Sequence, residues 1–133
     1  MSFAKSLIEK GDYEEAIEAA TTAIEEGDDG PEPLFDRATA AELAERFPQA
    51  VDDFEAAIVK NRAAKEIDPF VLDDAYFAAL LTGAREEAKR DVSRGVAMLE
   101  RYRKTVPDGA HEHGEVAGVD LDPSLPTELV EAA

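Results

Sequence analysis

The feature that most constrains this chain is a self-similar period of 34 residues. Ala16, Ala20, Ala23 and Ile24 return as Ala50, Phe54, Ala57 and Ile58, and Tyr13 returns as Phe47. A period of that length, carried by small and apolar residues at helical spacing, predicts an all-α chain of helical hairpins that stack on one another. One hairpin cannot bury its apolar face alone, so it needs a neighbour, and the stack leaves a continuous surface free for a partner. The functional question therefore moves from chemistry to recognition.

The apolar spacing outlines three hairpins, at about 1–29, 31–67 and 69–107. In the first, Phe3, Ala4, Leu7 and Ile8 mark a helix that Gly11 ends. Asp12 followed by Glu15 has the pattern of a capping box for the next helix. Ala16, Ile17, Ala20, Ala23 and Ile24 form its stripe, and Gly27-Asp28-Asp29-Gly30-Pro31 stops it. In the second hairpin, Leu34, Phe35, Ala38, Ala41 and Leu43 mark one helix, and Phe47-Pro48 makes the turn into another. Val51, Phe54, Ala57 and Ile58 carry that next helix. Its helical sequence runs on through Lys60 to Ile67, which predicts a helix about two to three turns longer than its counterpart before Asp68-Pro69 starts the next. In the third hairpin, Leu72, Ala75, Tyr76, Ala79, Leu80 and Gly83 follow one helical stripe. Val92, Gly95, Val96, Leu99, Tyr102 and Val106 follow the other, with the boundary between them inside 84–92.

Charge is distributed unevenly. The formal net charge is −17; residues 1–61 carry 16 acidic and 5 basic side chains, residues 62–107 carry 8 and 9, and residues 108–133 carry 7 and none. Nucleic acid and anionic lipid would be repelled by the first and last of these, because binding to phosphate depends on Lys and Arg. What remains is a partner, a protein or peptide, with basic residues, or no partner steered by charge at all. Residues 108–133, with both histidines, three glycines and two prolines, hold too little apolar material for a core and are expected to form an acidic, flexible tail. Leu125, Leu129 and Val130 are its only material for a short docking helix.

No catalytic set emerges. Both histidines lie in the tail and the serines stand at 2, 6, 93 and 124, so no Ser/His/acid arrangement is in view. No Gly-rich loop follows a strand. The absence of cysteine rules out disulfides and thiolate chemistry. His111-Glu112-His113 lacks the further ligands and rigid frame of a metal site. Glu14-Glu15-Glu18 and Glu25-Glu26 read as solvated helix faces. The expectation is a protein that is not an enzyme, with no cofactor and no metal. There is no apolar run of about 18 residues to insert in a membrane. Met1–Lys10 has no uninterrupted apolar stretch of the kind a secretory signal needs, and a cytoplasmic location is expected.

These residues resemble the tetratricopeptide repeat (TPR) superfamily. Ala50-x3-Phe54 matches the family's second-helix pattern, and Gly11-Asp12-Tyr13-Glu14-Glu15-Ala16-Ile17 is similar to its inter-helix turn. Gly95-x3-Leu99 followed by Pro107 keeps the spacing. Phe3-Ala4-x2-Leu7 and Leu34-x2-Arg37-Ala38-x2-Ala41 resemble the first-helix signature, with Arg37 standing where an apolar residue is usual. The resemblance covers residues 1–107 and implies a right-handed superhelix of stacked hairpins. It also implies a concave groove, lined by the first helix of each hairpin, that takes a peptide or helix of another protein. By position the groove would include Lys5, Ile8 and Glu9, then Phe35, Thr39 and Glu42, then Phe77 and Leu80. A groove of that composition suits an amphipathic segment with basic residues. The function implied is that of a non-catalytic adaptor or scaffold.

Three further expectations accompany this reading. Arg90, Arg94, Arg101 and Lys104 share one stripe of the last helix, opposite Val92, Val96 and Leu99, either as a solvated face or as a ridge that receives the acidic tail. An alternative function is structural: copies that assemble through their terminal hairpins into a homo-oligomer. The acidity, with only 6 lysines, is also open to explanation as adaptation to high salt.

Overall fold

The structure, a computed structural model, describes residues 3–105. Among them are six α-helices and no strand: α1 (Phe3–Lys10), α2 (Tyr13–Glu25), α3 (Glu32–Leu43), α4 (Phe47–Ala64), α5 (Pro69–Ala88) and α6 (Val92–Thr105). The chain divides into two compact units, Met1–Ala75 and Tyr76–Ala133, with the boundary inside α5. Among the described residues no helix is long and apolar enough to cross a membrane.

In the first unit α2 packs against α1 and α3, α3 against α4, and α1 also lies beside α3. The repeat residues make this packing possible. Ala16, Ala38, Ala40, Ala41, Ala50 and Ala57 are wholly buried, and their small side chains let the helices approach closely. Phe54 and Val51 fill the space between them.

Each helix end has a local cause. α1 closes with Gly11 at φ +85°: its N–H donates to the Ile8 carbonyl and the Asp12 N–H to the Leu7 carbonyl, the paired bonds of a Schellman motif. α2 closes in the same way on Gly27, at φ +107°. The capping box expected at Asp12 and Glu15 is not formed, since the Asp12 side chain makes no cap hydrogen bond. Asp12 is already the last residue of the preceding Schellman motif, and its ψ of 67° is not the extended value that aims a capping carboxylate at the following amides.

α3 closes with the same bonds as α1, Glu45 N–H to the Glu42 carbonyl and Arg46 N–H to the Ala41 carbonyl. The left-handed position that Gly11 holds in hairpin one is held in hairpin two by Glu45, at φ +64°. α4 is 18 residues long and α2 is 13, a difference of about one and a half turns rather than two to three. The helix stops at Ala64 because Lys65 turns left-handed, at φ +52°. Buried Asn61 then fixes the chain beyond it. Its Oδ1 accepts from the N–H groups of Glu66 (3.0 Å) and Ile67 (2.9 Å), and its Nδ2 donates to the Ile67 carbonyl (2.7 Å). Asp68 starts α5 by accepting the Phe70 N–H at 2.9 Å.

In the second unit, Tyr76 stacks on Tyr102 at 5.7 Å between ring centres, and Phe77 meets the same ring tilted at 5.2 Å. Asp91, just before α6, accepts the Ser93 N–H with its side chain. The boundary between α5 and α6 therefore lies at residues 89–91, inside the predicted window.

Candidate recognition surface

Arg37 stands on α3 at the place where the repeat calls for an apolar side chain, and its surroundings supply the reason. Its Nε and Nη2 donate to the two carboxylate oxygens of Asp53 on α4, at 2.8 and 2.9 Å. Its Nη1 donates to the Thr21 hydroxyl on α2 at 3.1 Å, and that hydroxyl donates to the Ile17 carbonyl. One guanidinium thus fastens three helices, and the Asp53 hydrogen bond, then burial, then the nearby carboxylate charges set a net upward shift of its already high pKa. Arg46 pairs with Glu14 at the exposed edge of the same helices. This polar joint orients α3, and α3 carries Phe35, Thr39 and Glu42 of the expected groove.

On α3 the groove residues are partly exposed. Phe35 is half-buried, its ring tilted against Phe54 at 5.8 Å, a geometry aromatic pairs favour. Thr39, also half-buried, donates its hydroxyl to the Phe35 carbonyl at 2.9 Å. Glu42 is half-buried, burial pushes its carboxyl pKa upward, and among the described residues its side chain has no hydrogen-bond or ion-pair partner. On α1, which lies beside α3, Lys5 and Glu9 are exposed and Ile8 is half-buried. In the second unit Phe77 is half-buried, whereas Leu80 is 0% exposed and belongs to the core. Leu80 shares the inward stripe of α5 with Tyr76 and Ala79, so a partner has no access to it.

On α6, Arg94 and Lys104 are exposed and Arg101 is half-buried, while Arg90, just before the helix, is exposed and 3.9 Å from Glu87. Leu99 is buried on the opposite side, and Met98, one turn on from Arg94 along the same stripe, is buried as well. The acidic tail that this ridge was expected to receive, and the His111-Glu112-His113 segment, lie outside the described residues. Among the described residues no group of three or more His, Cys, Asp or Glu side chains is placed to hold a metal ion.

Sequence reasoning did not reveal a cleft of about 570 Å³ in the first unit, lined by Phe3 and Ala4 of α1, Ala19, Ala20 and Ala23 of α2, and Pro33 of α3. Asp28, Glu32, Asp36 and Glu66 also line it, with no Lys or Arg.

Compared with protein-family models, with curated proteins and with solved structures, the chain matches none.

Proposed function

We propose that the chain is a TPR-like interaction module that binds a peptide or helix of another protein along the α1–α3 face and carries out no chemistry of its own. The observation that carries this reading is Glu42. A carboxylate that is partly desolvated and unpaired costs stability where it stands, and a basic side chain from a partner would relieve that cost. Half-buried Phe35, about two turns back on the same face of the helix, offers apolar surface beside it. Together they suit an amphipathic helix with Lys or Arg next to its apolar stripe. The excess of acidic residues would speed the approach of such a partner.

The test is a titration of the isotope-labelled chain with a Leu/Lys peptide whose leucines recur at i, i+3, i+4 and i+7, followed by amide NMR shifts. Shifts centred on Ile8, Phe35, Thr39 and Glu42, abolished by Glu42→Lys with helicity unchanged, support the reading. Equal shifts with a Leu/Glu peptide, or none at these residues, overturn it.

A further inference from the structure

We propose that the acidic stretch following α6 docks on the basic ridge of that helix in the same chain, and so closes the ridge to other anions. The contact lies within the second unit and is independent of the α1–α3 groove.

α6 carries four basic side chains and one acid, Glu100. At 3.6 residues per turn, Arg94, Arg101 and Lys104 fall within an arc of about 80° and along about 15 Å of the helix. Arg90 stands just before its start, 3.9 Å from Glu87. Arg94 and Lys104 are exposed, and among the described residues neither side chain has a hydrogen-bond or ion-pair partner. Like charges on one face of a helix destabilise it, and an anion laid along that face relieves the repulsion.

The chain itself supplies the matching anion. Residues 76–107 carry 7 basic and 4 acidic side chains, whereas residues 108–133 carry 7 acidic and no basic ones. The sign of the charge reverses where α6 gives out. The Tyr102 ring, wholly buried against Tyr76 and Phe77, holds the last turn of α6 in place, so the acidic stretch starts beside Lys104. Pro107-Asp108-Gly109 is the sequence of a chain-reversing turn. Beyond it, the stretch from Glu112 through Glu115 and Asp120 to Asp122 can reach about 33 Å, more than twice the length of the ridge. A tether this short gives an effective concentration on the order of millimolar, so several weak exposed ion pairs suffice to hold it. A second copy lacks the tether and brings a further −17 of charge. Nucleic acid and other polyanions meet the same seven acids before they meet the ridge.

The chain has no cysteine, so Ala117→Cys carries a single nitroxide label. With isotope and nitroxide on one chain, the amide signals of Arg94, Ala97, Arg101 and Lys104 should weaken at least about twofold at about 0.05 M salt and recover at about 1 M. Arg94→Gln/Lys104→Gln, with helicity unchanged, should restore most of the lost intensity at low salt. A mixture of isotope-labelled chains without nitroxide and nitroxide-bearing chains without isotope should show no loss. Absence of any loss at these four amides overturns the proposal. So does a loss that persists at high salt or in the double variant. An equal loss in the mixture assigns the contact to a second copy and overturns it as well.

Discussion

Removing Asp53 tests whether the polar joint holds the first unit together. Arg37 makes two short, parallel hydrogen bonds to Asp53 and a third to Thr21, with the Asp53 side chain 8% exposed and that of Arg37 22%. Breaking a fully buried ion pair costs about 3–5 kcal/mol, because a charge is left without compensation. Here the guanidinium reaches water, which recovers part of that loss, so Asp53→Ala should cost about 2–3 kcal/mol. For a domain of this size that corresponds to a fall in Tm of roughly 10–20 °C. Replacing both partners by apolar residues removes the unpaired charge as well as the pair. Arg37→Met/Asp53→Leu should therefore lie within about 1 kcal/mol of the natural chain. Urea unfolding of the two single variants and the double variant, followed by helicity at 222 nm, closes the double-mutant cycle. The reasoning is refuted if Asp53→Ala costs less than about 0.5 kcal/mol, or if the double variant loses the sum of the two single losses.

Three further predictions follow from particular side chains. Glu45→Gly should stabilise the chain by about 0.5–1 kcal/mol, since the left-handed cost to a side chain exceeds the extra unfolded-state freedom of glycine; a drop in the urea midpoint would contradict it. Asn61→Ala should destabilise by about 2 kcal/mol through the loss of three hydrogen bonds at a buried amide, with hydrogen exchange rising first at Glu66 and Ile67. Glu42, whose pKa is raised in the folded chain, binds its proton more tightly there than when unfolded. Its contribution to stability is therefore fully present below the ordinary Glu range and is lost as pH rises through the raised value. Glu42→Gln should remove that component of the pH dependence and raise Tm slightly at neutral pH; an unchanged Tm–pH curve would rule this out.

The period made most of the fold legible. Small residues at 16, 20, 50 and 57 fixed where helices touch, Gly11 and Gly27 where they stop, and Pro31 where α3 starts. What escaped were sites where two local preferences compete. Asp12 reads as a cap, but in a two-residue connection it serves the preceding helix end, and it cannot do both. The stretch after Lys60 reads as helix by composition, while one buried amide at Asn61, whose partners lie five and six residues on, ends it. Glu45 occupies a glycine position with nothing in its own identity to announce a left-handed turn. Of the candidate sites, Phe35, Thr39 and Glu42 were expected from the family resemblance, carried over position by position. The desolvation of Glu42 became visible only in the folded chain. Leu80 was misplaced because a stripe at i, i+3, i+4 and i+7 does not say which side of it faces a neighbour.

The most direct measurement is a charge exchange across the α1–α3 face. The natural chain and Glu42→Lys are each titrated at low ionic strength with the Leu/Lys peptide and with its Leu/Glu counterpart, and Kd is read by calorimetry. The groove account predicts that the natural chain prefers the Leu/Lys peptide and that Glu42→Lys weakens this binding at least tenfold while strengthening that of the Leu/Glu peptide. Affinities that leave the order of the two peptides and their ratio unchanged by the substitution would contradict it.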